Sequence, residues 1–331
     1  MVIDFQILAD DKDITEKIKA ALVSLTITDT TGDHADGLSL RLADYTDSLK
    51  FPASSAKLNV HLGYKDNLHD FGFFFVDTMS YSYPPSVLSL NANSVPFAAS
   101  NTYKAMQTQQ TRSFDNVTLQ SLVDAIAKEH GLESSIAPDI GKIGIEHIDQ
   151  TDEGNIGFLY RVVRQYGGTL KPTHTKLVVL DEKGKNANND DIPVVRLDLK
   201  EISQLSYSSK KEAKFRSVSA KYHDVDNAET KKVTAGSGQP EFLLSYTYNN
   251  ETEAKAMAKK VLDGYSLDTD SINITTVGNP AIIAGVPIKI KGLREDIPQD
   301  WYVKTATHSL SKQGYQTSAQ LTLKTSTESH S

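Results

Sequence analysis

The chain has 331 residues, of which 39% are apolar and 23% charged, and its 35 basic against 42 acidic side chains leave a formal charge of −7. It contains no cysteine, which excludes a disulfide scaffold, a thiolate zinc or iron–sulfur site and a cysteine nucleophile. No run nears the ~20 apolar residues of a membrane-spanning helix, the start lacks a basic segment followed by an apolar core, and an acidic chain lacks the positive field that broad nucleic-acid binding requires.

At ~100–200 residues per domain the length predicts two or three domains. Residues 1–110 are rich in β-branched and aromatic side chains that alternate with period two, which predicts an all-β module. Leu22, Ser24, Thr26 and Thr28 alternate with Val23, Leu25 and Ile27. After the turn residues Asp29 to Asp33, Leu38, Leu40 and Leu42 alternate with Ser39 and Arg41, so a strand pair is predicted. Leu58, Val60 and Leu62, the apolar run Phe73 to Val76, and Val87 to Leu90 add further short strands, the number a small barrel or sandwich uses.

The period changes near residue 112. Leu119, Leu122, Val123, Ile126 and Ala127 form one apolar helix face, with Thr118 as N-cap and Gly131 placed for a left-handed C-terminal cap. A second helix is predicted over Asn155 to Tyr166, ending at Gly167 and Gly168, with Asp152 and Glu153 at its positive end. A hairpin over 168–173 and 176–181 and a polar loop from Glu182 to Asp191 complete an α+β unit at 111–200.

Strands return over 201–323. The polar stretch Asp224 to Pro240, containing Gly236, Ser237 and Gly238, is predicted to be a mobile loop, and Ala254, Met257, Ala258, Val261 and Leu262 predict a helix over 250–265. The basic stretch Lys210 to Lys221 reads as a strand with a solvated outer face rather than an anion-binding strip. The tail 324–331 is polar and expected to fray.

An internal repeat organises these pieces. Gly63 precedes Phe74-Phe75-Val76-Asp77-Thr78-Met79-Ser80-Tyr81-Ser82, and Gly292 precedes Trp301-Tyr302-Val303-Lys304-Thr305-Ala306-Thr307-His308-Ser309. Both read aromatic pair, then V-x-T-x-[ST]-x-S, followed by an alternating strand (Leu88 to Leu90, Leu321 to Leu323). The expected fold is mainly β, with two copies of one β module flanking the α+β insert.

No catalytic signature is present: no G-x-S-x-G, no G-x-x-x-x-G-K-[ST], no H-E-x-x-H and no G-x-G-x-x-G after a strand. The nine histidines include His61 and His69 around a strand and turn, but none has metal-ligand spacing. His308 takes the place of Tyr81 in the repeat and is expected on a strand surface. Asp152 and Glu153 read as helix-start residues, and Asp36, Asp44 and Asp47 lack a visible partner for a glycosidase pair. Gly236-Ser237-Gly238 is too short to cradle phosphate. Tyr81, Tyr83 and Tyr103 fit either stacking on a ligand or a barrel core. No catalytic, cofactor or metal residue is therefore assigned.

Three stretches together resemble the late control protein D family, the tail or baseplate hub proteins of contractile-tailed phages. They are Ser113-Phe114-Asp115 with Thr118-Leu119 through to His130-Gly131-Leu132; Gln150 to Glu153 with Phe158-Leu159, Arg161 to Gly167 and Lys171; and Gly278-Asn279-Pro280, Ala284-Gly285, Gly292, Trp301-Tyr302-Val303, His308 and Gly314-Tyr315. Gly154 and Gly157 depart from the family pattern, which leaves the start of the second helix open. The resemblance, which extends to the N-terminal hub part of the spike protein VgrG, implies two related tube-like β-barrels per subunit, and a homotrimer joining a hexameric tail tube to a trimeric central spike. It implies a neutral or mildly acidic lumen facing a tape-measure protein or DNA, a place in the virion baseplate after assembly in the bacterial cytoplasm, and neither an active site nor a cofactor. No fused spike follows Lys324, so the single-chain VgrG arrangement is not expected. Two other readings compete: a cell-wall or carbohydrate-binding protein, which predicts glycan affinity and a monomer, and a tail-associated muralytic enzyme, which predicts an acidic pair in a cleft.

Overall fold

The computed structural model describes residues 2–323 apart from 32–34, 46–48, 53–55, 96–99, 174, 182–192, 210–214, 225–226, 228, 249 and 268–269. Asp47, the polar run from Glu182, the first five residues of the basic stretch and the tail from Lys324 lie outside the described residues. The first module forms β1 (Ile3–Ala9), β2 (Lys12–Asp13), α1 (Thr15–Lys19), β3 (Leu22–Thr30), β4 (Gly37–Ala43), β5 (Lys57–Tyr64), β6 (Asn67–Ser82) and β7 (Val87–Asn93). Alternation buries Leu25 and Ile27, Leu38, Leu40 and Leu42, Leu58, Val60 and Leu62, and Leu88 and Leu90 in one core. β1 pairs antiparallel with β5 from Ile3 to Ala9, so the start of the chain belongs to this sheet.

The middle of the chain forms α2 (Asn101–Met106), β8 (Gln109–Thr118), α3 (Leu119–Glu129), β9 (Glu133–Ile136), α4 (Pro138–Gly141), β10 (Gly144–Gly154), α5 (Asn155–Gln165), β11 (Gly168–Pro172) and β12 (Lys176–Asp181). Helix α3 starts as its sequence predicts: the Thr118 hydroxyl accepts from the Ser121 N–H, and Ser121 Oγ accepts from the Thr118 N–H. It ends on Gly131 at φ +66, where the Leu132 N–H reaches the Ala127 carbonyl and the Gly131 N–H that of Lys128. The long β8–β10 pair is not foreseen by the sequence, because its mostly polar residues hide the alternation. Asp152 and Glu153 accordingly end a strand, with Gly154 as the N-cap of α5.

The last region forms β13 (Val195–Asp198), β14 (Ile202–Ser209), β15 (Ser217–Asp224), β16 (Glu229–Gly236), β17 (Glu241–Tyr248), α6 (Glu251–Leu267), β18 (Asp270–Val277), β19 (Pro287–Lys291), β20 (Trp301–Ser311) and β21 (Gly314–Leu323). The expectation of a loop over Asp224 to Pro240 is corrected: nearly half of it is β16, paired with β15 from Glu229 to Gly236. Its polar residues face solvent while Val233 and Ala235 pack beneath α6, so half of the strand looks like loop in the sequence. Gly236, Ser237 and Gly238 are the tight turn into β17, with both glycines at positive φ. β15 is the central strand of its small sheet. Ser217 and Ser219 are therefore buried along with Val218 and Ala220, and the expected solvated face exists only from Lys221 onward.

A thirteen-stranded sheet runs β14-β18-β21-β20-β3-β4-β7-β6-β5-β1-β2, with β19 on β20 and β13 on β19. It carries two separate apolar cores, one in each half. The order β3-β4-β7-β6-β5 in the first half matches β14-β18-β21-β20-β19 in the second. Both halves also share two bulges. One falls at the x of V-x-T, between Val76 and Thr78 and between Val303 and Thr305. The other lies between Leu22 and Ser24 and between Ile202 and Gln204. The sixth position differs: β1 runs antiparallel to β5, whereas β13 runs parallel to β19. The halves are joined edge to edge by β20 on β3, Thr305 to Ser311 opposite Thr30 to Ser24.

Candidate functional site

The residues that alternate with the two cores make a continuous polar wall on the other face of the sheet. One register row runs Gln316, Ser309, Thr26, Ser39, Asn91, Thr78 across six strands. A second runs Ser206, Asn273, Gln320, Thr305, Thr30, and a third runs Ser311, Ser24, Arg41, Ser89, Ser80. Arg41 is the one charged residue in these rows. Hydroxyls meet across strands, Thr26 with Ser309 and Thr30 with Thr305 at 3.2 Å and Thr275 with Ser318 at 3.1 Å, each pair contributing ~0.2–1 kcal/mol. Apart from Arg41, these rows offer neutral hydrogen-bonding groups and little field that would retain a polyanion.

Two polar knots hold the wall to the rest of the molecule. His308 is fully buried, which corrects the expectation of a strand-surface residue: β3 covers the position that Tyr81 leaves open in the first half. Its Nε2–H donates to the Ile282 carbonyl at 3.0 Å, and its Nδ1 accepts from the Tyr315 hydroxyl at 2.8 Å. Burial holds its pKa down at about 4, against the carbonyl that raises it, so the ring is neutral. Tyr315 lies against Gly278, where an added Cβ would come within 2.1 Å of the ring, and Phe71 packs on His308 at 4.7 Å from the first half. In the second knot the Lys171 ammonium of β11 donates to Asp29 at 3.0 Å and lies 3.8 Å from Asp36. Asp29 also accepts from the Ala284 N–H at 2.7 Å. Burial pushes the Asp36 carboxyl up to about 6, opposed by Lys171 and reinforced by Asp29. The motif residues Lys171, Gly278, Asn279, Ala284, His308 and Tyr315 thus meet at the junction of the two halves with the middle unit. Asp29, which sequence reading treats only as a turn residue, is the acceptor shared by Lys171 and Ala284.

The remaining candidates do not converge. His61 and His69 sit one register step apart on the β5–β6 hairpin and so on opposite faces, His61 bonded to Asn59 and His69 packed edge-on to Phe71. Asp36 and Asp44 flank opposite ends of β4, roughly 26 Å apart at ~3.3 Å per residue, far beyond the ~5–9.5 Å of a glycosidase pair. Asp152 accepts from the Thr111 hydroxyl, and Glu153 pairs with Arg161 at 2.8 Å. Tyr103 is a core residue whose hydroxyl donates to the Thr173 carbonyl, whereas Tyr81 and Tyr83 are exposed. Among the described residues no group of three or more His, Asp or Glu side chains could hold a metal ion, and no helix is long and apolar enough to cross a membrane.

Residues 102–314 match the family model of the phage tail baseplate hub protein (GPD). The chain belongs to this baseplate hub family. The resemblance drawn from the three sequence stretches is thereby borne out, and the family match runs from α2 through β20. A probable baseplate hub protein of Escherichia phage P2 is 26% identical over 98% of this chain and 94% of its own length. Among solved structures, a tail protein from Neisseria meningitidis MC58 superposes with a TM-score of 0.72 at 12% identity, covering 98% of both chains. A component of the Escherichia coli type VI secretion system, described as similar to the T4 tail proteins gp27 and gp5, superposes with a TM-score of 0.59 at 9% identity, over 93% of this chain and 74% of that one. The fold is that of these tail proteins, and the chain is a structural baseplate hub protein.

Proposed function

We propose that this hub protein is a homotrimeric, non-enzymatic adaptor. Each subunit contributes two related β-barrel modules, 1–110 and 201–323, around the unit at 111–200. Three subunits present six modules, so one face stacks on a hexameric tail tube and the other seats a trimeric central spike. The observation that supports this is the repeated five-strand order with both bulges at equivalent positions, the mark of one module used twice. Eight strands per subunit, β14 through β6, would line the lumen. Twenty-four strands at ~4.8 Å spacing give a channel at least roughly 37 Å across between backbones. Its wall of hydroxyls and amides, with Arg41 as the one charge in the three rows, suits the passage of a tape-measure protein or DNA without retention.

The test is absolute mass by light scattering over a range of concentrations, followed by co-sedimentation with assembled tail tubes and with the spike. A threefold mass, or a monomer shifting toward three, and binding to tube and spike are expected. A strict monomer that binds neither overturns the reading.

A further inference from the structure

We infer that the free edge of β6 in one subunit pairs antiparallel with the free edge of β14 in the next, with Ser80 opposite Ser208 and Ser82 opposite Ser206. This rests on the trimeric reading above and specifies which strands close the ring and in what register.

The internal junction supplies the template. β20 is paired on both sides, with β21 and with β3. Its counterpart in the first half, the stretch of β6 beyond the V-x-T bulge, pairs only with β7 among the described residues. Residues 77–85 are consequently all exposed. Met79, Tyr81 and Tyr83 are 36%, 48% and 77% exposed, whereas their counterparts Ala306, His308 and Leu310 are 0%, 0% and 7% exposed. The counterpart of β3 is β14, which pairs only with β18 among the described residues. Its Leu205 and Tyr207 are half-buried, where Leu25 and Ile27 of β3 are covered. Each half therefore has one edge satisfied within the chain and one equivalent edge left open. An open strand edge bearing an apolar row must be covered or it pairs indiscriminately.

The matched bulges fix the correspondence residue by residue. Carrying the observed pairs Thr307 with Thr28 and Ser309 with Thr26 onto the open edges sets Ser80 against Ser208 and Ser82 against Ser206. The chemistry agrees on both faces. On the wall, hydroxyl meets hydroxyl, as Thr26 meets Ser309 within the chain. On the core side Tyr81 falls on Tyr207 and Tyr83 on Leu205, extending the first core of one subunit into the second core of its neighbour. Leu310 and Tyr315 make the same bridge within the chain. Because the two edges differ, the contact is head-to-tail and closes into a ring rather than a dimer.

The chain has no cysteine, so engineered thiols report without background. Directly opposed strand residues have Cα atoms ~4.5–5.5 Å apart, within the range a disulfide spans. Oxidation of Ser80→Cys/Ser208→Cys with oxidised glutathione, which is reduced as each pair of thiols forms a disulfide, is expected to convert most of the protein to a covalent trimer on a non-reducing gel. Ser82→Cys/Ser206→Cys is expected to behave the same way. Thr78→Cys/Ser206→Cys, four residues out of register and roughly 13 Å apart, is expected to give none. A trimer by light scattering in which neither matched pair crosslinks overturns the strand pairing and leaves the trimeric hub intact. Dimers formed by Ser80→Cys alone, as readily as trimers form from the double variant, overturn it in favour of symmetric β6–β6 pairing. A monomer at every concentration with no crosslink overturns both readings.

Discussion

His308 lies deepest in the junction, and its chemistry is set by burial rather than by a charge partner. An unfolded histidine takes up a proton near pH 6.5, whereas the native ring does so only near 4. The unfolded chain thus binds the extra proton between these values, and the stability present above pH 6.5 is lost as pH falls toward 4. Asp29 faces the ring and opposes this shift, while His69 adds to it. Asp36, pushed up to about 6, acts in the opposite sense, since its native form holds a proton that the unfolded chain has already lost. His308→Gln keeps a donor for Ile282 and an acceptor for Tyr315 but cannot be charged, and Asp36 is common to both proteins. From pH 7 to pH 4, urea unfolding of the wild type is expected to lose on the order of 3 kcal/mol more than that of the variant. Parallel pH profiles would show that His308 titrates normally.

At the level of elements, one guanidinium organises the middle unit. Arg112 of β8 grips both Glu129 oxygens at 2.6 and 3.0 Å, at the end of α3, and also donates to Gln150 of β10 and Asn155 of α5. Gln150 and Asn155 are fully buried, and Asn155 also meets His130 at 2.7 Å. The Arg112 hydrogen bonds hold the Glu129 carboxyl below its usual range, against burial that raises it. Arg112→Met leaves two buried amides and a carboxylate short of a donor. It is expected to lower stability by roughly 2–3 kcal/mol in urea unfolding, and Arg112→Lys to recover little, since an ammonium cannot form the fork. A loss below ~0.5 kcal/mol would mean that apolar packing alone joins these elements. Sequence periodicity makes α3 and α5 legible because each has a single apolar face. It does not expose β8 and β10, whose order comes from pairing with each other and from Arg112, nor β16, which is polar on the side that α6 does not cover.

Across the whole molecule, Lys171 is an ionic link between the middle unit and the sheet. Lys171→Met leaves Asp29 and Asp36 facing each other without a cation. The melting temperature is expected to fall at pH 7 and to recover in part at pH 5, where Asp36 is protonated. An additional Asp36→Asn should abolish that recovery, and a pH-independent loss would point to packing instead. The polarity of the lumen wall, the strand alternation and the V-x-T repeat are all properties of local pattern, because a strand displays every second residue on one face whatever surrounds it. The sequence alone therefore determined the β-rich fold, helices α3, α5 and α6 with the caps of α3, the family and the existence of a repeat. Only the tertiary structure decided that His308 is buried while its counterpart Tyr81 is exposed, that Asp29 joins Lys171 to Ala284, and which edges remain open. Those facts depend on which strand lies beside which, and pairing across 275 residues, as between Thr30 and Thr305, leaves no local trace in the chain.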